Sequence, residues 1–289
     1  MLACRIFLAP LPQLPYNRGD AKEPPPVTPG TERGLFMNER FFNRHEFKYV
    51  ISEETATQML EAIEPHMKRD RHTNETAHYR ISSLYFDTRE NLFHDEYLRA
   101  EQFRQKLRLR VYNQPTLMDP CFFEIKKKFK GFVSKRRARL TLKSVYDWLA
   151  DRITLQDLCE AFPLEAHVLR EIGFLRQHYR LEPRVVIAYI RQAHVGIFDE
   201  DLRVTMDRQL TRRTTLLEPH LGCDPAHDDL YLPTGRVVLE VKSSGTIPLW
   251  LAGTLSRLSC RKQAFSKYST SYSPPEVNDT AVESDRRHA

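Results

Sequence analysis

A chain of 289 residues, 41% hydrophobic and 28% charged, can bury one large core or two modest ones. No apolar run approaches the roughly 20 residues of a membrane-spanning helix, so the chain has no transmembrane segment of its own. The net charge of +6, from 44 Lys and Arg beside 38 Asp and Glu, is too small to argue for nucleic acid by itself. Cys4, Cys121, Cys159, Cys223 and Cys260 show no CxxC pair and no metal-ligand spacing, which fits reduced thiols in a cytoplasmic protein better than a disulfide framework.

Residues 1–37 hold many of the prolines, among them Pro24-Pro25-Pro26, and read as a disordered or extended leader. The folded part is expected over 38–272, and residues 273–289, with Pro274-Pro275, read as a disordered tail. A strand is predicted over 43–51. A helix follows over about 53–67, with Ser52 as N-cap and Glu53 and Glu54 at the positive end of its dipole. Strands are predicted near 78–87, 104–112, 121–129 and 132–141, with Lys130-Gly131 as a hairpin signal between the last two. Residues 144–178 read as helical with a break at Pro163. Strands return at 184–193, 195–198, 201–207 and 235–244, before a helix over 248–262 that begins with Pro248 in its first turn. About eight strands interrupted by helices, without βαβ alternation, predict an antiparallel α+β barrel. No internal repeat and no glycine-rich phosphate loop is present, which argues against a P-loop or Rossmann site.

Five of the strand segments carry charge on every second residue: Glu46-Phe-Lys48, Lys106-Leu-Arg108-Leu-Arg110, Glu124-Ile-Lys126-Lys-Lys128, Arg203-Val-Thr205-Met-Asp207 and Glu240-Val-Lys242. A period of two puts the charges on one face and the apolar side chains on the other. If the sheet closes with its apolar face outward beneath helices, the charges line a tunnel suited to a polyanion. Phe123, Phe129 and Phe132 are expected to pack on the exterior, under helices. Lys106, Arg108 and Arg110 repeat at about 6.6–7 Å, so neighbouring strands must supply alternate contacts to a phosphate chain. Arg suits this task because its planar fork binds phosphate oxygens in pairs. In the basic hairpin that follows, parity turns either Lys135 and Arg137 or Arg136 inward, and Lys135 and Arg137 continue the series to Arg139. The acids Glu46, Glu124, Asp207 and Glu240 share the parity of the bases beside them. They can neutralise those bases or hold Mg²⁺ or Mn²⁺ against substrate phosphates. Phosphoryl transfer needs charge clamping, positioning and metal, and no nucleophilic side chain.

These segments, taken together, resemble a known family. Arg44-His-Glu46-Phe-Lys48-Tyr49, Ser83-Leu-Tyr85-Phe-Asp87-Thr88, Lys106-Leu-Arg108-Leu-Arg110-Val-Tyr112, Phe123-Glu124-Ile-Lys126, Tyr189-Ile-Arg191, Leu202-Arg203-Val-Thr205-Met-Asp207, Glu240-Val-Lys242 and Ser266-Lys267-Tyr268 occur in the order seen in VTC domains. These are polyphosphate polymerase domains of the triphosphate tunnel metalloenzyme superfamily. The resemblance implies a closed antiparallel eight-stranded β-barrel tunnel with helices packed on the outside, which takes ATP, transfers its γ-phosphate to a growing polyphosphate chain and releases ADP. It implies phosphate-binding roles for Lys48, Arg108, Arg110, Lys126, Arg191, Arg203 and Lys242, with Lys267 near the exit and Glu240 holding the metal. Glu46, Tyr85, Lys106, Glu124, Lys128, Lys135, Arg137 and Asp207 are the further substrate-binding candidates. Tyr85 and Asp87 match a tunnel-wall strand with no assigned role. The eukaryotic members carry an SPX sensor domain and a membrane region that this chain lacks, which leaves a separately encoded membrane protein as a candidate partner. A tri- or polyphosphate hydrolase of the same fold and a non-catalytic polyanion-binding module are the alternatives.

Overall fold

The computed structural model describes residues 45–70, 78–130 and 132–272. The leader over 1–37 and the tail over 273–289 lie outside the described residues. Alternating patterns become strands, in chain order β1 (His45–Ser52), β2 (Met67–Arg69), β3 (Tyr79–Asp87), β4 (Phe103–Tyr112), β5 (Pro120–Phe129), β6 (Phe132–Thr141), β7 (Glu182–Gly196), β8 (Arg203–Arg213), β9 (Asp229–Leu230) and β10 (Arg236–Ser243). The helices are α1 (Glu53–Ile63), α2 (Leu92–Leu98), α3 (Leu142–Leu149), α4 (Leu155–Ala161), α5 (Ala166–Tyr179), α6 (Leu249–Arg257) and α7 (Lys267–Tyr272).

All ten strands join one antiparallel sheet. Its main path runs β1-β10-β8-β7-β3-β4-β5-β6, with β2 added to β7 and β9 to β8. The predicted closed eight-stranded barrel is therefore incorrect: no backbone ladder joins β6 to β1 among the described residues, and the sheet has ten strands. It curls nonetheless. Six strand spacings separate β1 from β5 along the path, roughly 29 Å in a flat sheet, yet Lys126 Nζ on β5 stands 3.3 Å from Glu46 Oε2 on β1. Long charged side chains bridge edge strand β1 to β5, the neighbour of edge strand β6, instead of a ladder. The physical reason lies in β6, an edge strand that places Lys135, Arg136, Arg137 and Arg139 in one short stretch, all exposed. Such a cationic edge resists pairing with a further strand.

On the convex face, β1, β8 and β10 present Tyr49, Ile51, Val204, Met206, Leu239 and Val241 to Met59 and Ile63 of α1 and to Leu251 and Leu255 of α6. On the other half, Phe123 packs against Phe86 and against Trp148 of α3. Phe129 and Phe132 do not pack under helices as predicted. They face one another across the β5–β6 hairpin and are 52% and 71% exposed, and Phe129 only lines an open pocket beside Leu92, Asp95 and Glu96 of α2.

Local rules account for most boundaries. Ser52 Oγ accepts the Thr55 N–H at 3.1 Å, capping α1 as expected. That helix ends at Ile63, short of the predicted 67, since Pro65 cannot continue it and β2 begins at Met67. The predicted helical stretch 144–178 is three helices. Asp151 turns left-handed at φ 56°, Thr154 and Asp157 form a capping box for α4, and Pro163 opens a 3₁₀ turn before α5. The strands predicted at 184–193 and 195–198 are one, β7. Against it, β8 carries a bulge at Gln209 (φ 50°), which lets the strand run on to Arg213 with its parity reset.

Candidate functional site

Pairing register builds the site. Across β1 and β10, Lys48 lies opposite Glu240, and Glu46 opposite Lys242. Each acid therefore has a base as its cross-strand neighbour on the concave face. Glu240 is buried and surrounded by cations: Lys267 Nζ at 2.8 Å, Lys242 Nζ at 3.0 Å, and Lys48 Nζ and Arg191 Nη2 at 3.7 Å. Burial alone would raise its pKa, but these four charges hold it well below the carboxylate range. The same contest, decided by Lys48, Lys242 and Lys126, lowers Glu46. Arg191 donates Nε and Nη2 to the two oxygens of Asp207 at 2.6 and 2.7 Å, and Lys267 Nζ adds a contact to Asp207 at 2.6 Å. Arg203 pairs with Asp70 at 2.6 Å and donates to the Tyr79 hydroxyl at 3.4 Å.

The second half of the face centres on Glu124, which is 2% exposed. Arg108 places Nε and Nη2 each 2.7 Å from its Oε2, Arg110 Nε lies at 3.9 Å, and Lys135 pairs with Oε1. Arg108, Arg110 and Lys135 together overcome burial and hold Glu124 well below the usual range. Burial pushes the Lys135 ammonium down to about 8, with Glu124 opposing and Arg108 adding to the depression. Arg108 also donates to the Tyr85 hydroxyl at 3.0 Å, and Arg110 to Ser83 Oγ at 3.3 Å and to the Tyr189 hydroxyl at 3.4 Å. Lys135 and Arg137 lie on this face, Arg137 over the Phe122 ring at 4.9 Å, whereas Arg136 turns outward to Glu171 of α5 at 3.1 Å. Lys128 is exposed near the hairpin end.

Lys106 differs from its neighbours. Its Nζ donates to Ser266 Oγ at 2.5 Å and sits over the rings of Tyr97 and Tyr268 at 5.0 and 5.8 Å. Burial, joined by the charges of Lys48, Lys126 and Arg108, drives it well below the ordinary lysine value. The bases on this face clearly outnumber the acids Glu46, Glu124, Asp207 and Glu240, an imbalance that a bound polyanion would relieve.

One end of the face is lined by tyrosines (Tyr79, Tyr85, Tyr189, Tyr231) with Val238 and Phe265, and α7 lies against them. The α7 region draws contacts from several strands. Lys48 donates to the Phe265 carbonyl at 3.1 Å, Lys106 to Ser266, and Lys267 to Glu240. Sequence reasoning missed Ser266 and Tyr268 as structural hubs, as well as α2, α7, β2 and β9. These elements span two to seven residues, too short for a periodic signal, and only the Ser266-Lys267-Tyr268 triplet hinted at the last helix. Among the described residues, no three Asp, Glu, His or Cys side chains gather into a ready-made metal cage.

The family model described as "VTC domain" matches residues 43–274. The chain belongs to the VTC domain family. That match spans every described strand and helix, and the expected family membership stands with it. No curated protein matches the chain. Among solved structures, it is similar to a putative adenylyl cyclase from Hippeastrum titled as having a dominant triphosphatase activity, at 17% identity and TM-score 0.49, over 81% of this chain and 97% of that one. It is also similar to a putative adenylate cyclase from Bacillus halodurans, at 14% identity and TM-score 0.42, over 76% and 92%. A third is the PH1819 protein of Pyrococcus horikoshii, at 10% identity and TM-score 0.38, over 83% and 99%.

Proposed function

We propose that this VTC domain is a metal-dependent polyphosphate polymerase, which transfers the γ-phosphate of ATP to a growing polyphosphate chain and releases ADP. The observation that carries the proposal is the excess of buried and half-buried bases over acids on one concave face, in a chain of this family. Arg108 and Arg110 supply forked donors from one strand, with Lys106 beside them, and Lys48, Lys242 and Lys267 supply ammonium groups from the other side. A phosphate chain between them meets fixed donors on both flanks, the arrangement that stabilises charge as it shifts to the leaving phosphate.

The donor chemistry fits a divalent ion brought in with substrate. Mg²⁺ and Mn²⁺ are commonly held by one or two carboxylates plus phosphate and water oxygens, without an all-protein cage. Glu240 is the acid that would hold such an ion, with Glu46 across the strand pair, two residues off in register. When bound, the ion would neutralise charge on the transferred phosphoryl group. The chain's own contribution is to align the phosphates, balance their charge and supply Glu240 as a ligand.

Incubating the purified protein with ATP and Mn²⁺, then following ADP, free phosphate and long-chain product, tests this reading. Polymer appearing in step with ADP, and abolished by a chelator, is the expected result. Free phosphate without polymer would assign a hydrolase, and no turnover with retained polyphosphate binding would assign a binding module.

A further inference from the structure

Asp87 closes β3 and is fully buried. Its Oδ1 accepts the N–H groups of Thr88 at 2.7 Å and Phe93 at 2.9 Å. Its Oδ2 accepts the His94 N–H at 3.1 Å and the Tyr268 hydroxyl at 2.5 Å. One carboxylate thus ties the end of β3 to the first turn of α2 and to α7. The α7 helix has six residues, too few to hold a helical conformation unaided, so tertiary contacts set its place. Those contacts include the Tyr268 hydroxyl on Asp87, the Tyr268 ring stacked on Tyr85 at 5.0 Å, His94 beside the Tyr272 ring at 4.9 Å, and Arg212 donating to the Ser271 carbonyl. Lys267 is the residue next to Tyr268, and its Nζ lies between Asp207 Oδ2 and Glu240 Oε1 at 2.6 and 2.8 Å. Burial and the adjoining Asp87 raise the Tyr268 pKa far above the ordinary phenol value, so its hydroxyl remains a donor at any working pH.

We propose that Asp87 is a positioning residue: by accepting the Tyr268 hydroxyl it seats α7 and so places the Lys267 ammonium between Asp207 and Glu240 on the phosphate-binding face. The role of Lys267 toward phosphate rests on the proposed function, whereas the seating of α7 does not. No atom of Asp87 need approach substrate, since its effect passes through the Tyr268 hydroxyl to the adjacent Lys267. The same seat supports Arg108, whose Nη1 donates to Tyr85 beneath the Tyr268 ring.

Tyr268→Phe in the full-length chain removes this hydrogen bond and keeps the ring that stacks on Tyr85. Lysine acylation followed by peptide mass spectrometry reads the seat directly. Loss of one buried hydrogen bond should raise Lys267 reactivity about fivefold. Lys127, paired with Glu171 at 2.7 Å on the opposite face, should not change. Tripolyphosphate affinity should fall by a similar factor, about fivefold. Asp87→Asn, which puts an amide donor or a misplaced acceptor before Tyr268, should expose Lys267 to the same extent. Adding Tyr268→Phe to it should then have little further effect. If Asp87→Asn fails to fold, Tyr268→Phe alone decides. Unchanged Lys267 reactivity, or a parallel rise at Lys127, would overturn the proposal. A wild-type chain that binds no tripolyphosphate would instead count against the proposed function, while Lys267 labelling would still judge the seat.

Discussion

Two arginines that look alike in the sequence have different surroundings. Arg191 spends two of its nitrogens on Asp207, and both side chains are buried, with the carboxylate wholly so. Losing Arg191 removes both forked bonds to Asp207 and leaves that wholly buried carboxylate with Lys267 as its remaining close cation, a loss approaching the roughly 3–5 kcal/mol of a broken buried pair. Arg108 is more accessible, and its Glu124 partner keeps Arg110 and Lys135 when it is lost. Arg191→Met should therefore lower the urea midpoint strongly. Arg108→Ala should leave the midpoint near wild type while turnover falls roughly a hundredfold, as for loss of one electrostatic donor. Equal stability losses in the two variants would contradict this division. The acids fix the pH response. The pKa of Glu124 in the fold is lowered by its three bases, so its ion pairs contribute stability fully above the unfolded value of about 4.3. That contribution is lost as pH falls through the lower folded value. Urea midpoints at pH 7 and pH 5 should be close, with a steep drop at pH 3. Glu124→Gln should lower the pH 7 midpoint and flatten the acid drop, and an unflattened drop would show that Glu124 does not govern it.

At the scale of elements, strands and their parity were legible because charge alternation states both the period and the face. Lys106, Arg108 and Arg110 share a face in the structure as the pattern required, and the Ser52 cap was visible from its side chain. Ser52→Ala should accordingly cost about 1 kcal/mol, measured by denaturant unfolding, without changing polyanion affinity. Less than a few tenths would mean the cap is dispensable. The structure departs from the sequence reading where tertiary context decides. Phe129 and Phe132 alternate like core residues but lie at the hairpin end, where no helix covers them, so the pattern alone promised burial they do not have. The bulge at Gln209 resets parity midway along β8, which no two-residue period can announce. Asp87 showed no periodic role, because its partners come from a later turn and from a helix 181 residues away in sequence.

For the whole molecule, closure was the feature the strand count could not settle. Alternation fixes which face is charged, yet whether two edges join depends on what those edges carry, and β6 carries a run of cations. The two sides meet through the Lys126–Glu46 pair, whose side chains are 43% and 28% exposed. Pairs this exposed contribute about 0–1 kcal/mol and yield readily. Topologically, a ring of backbone would force a linear polymer to reptate in by a free end, so loading would scale with the number of ends. A slit admits a polymer broadside, by any internal segment. Cyclic polyphosphate, which has no end, should then compete with linear chains of equal length for the concave face. Comparable competition in a displacement assay would mark lateral loading, and exclusion of the ring would mean that the slit is shut to polymer in solution.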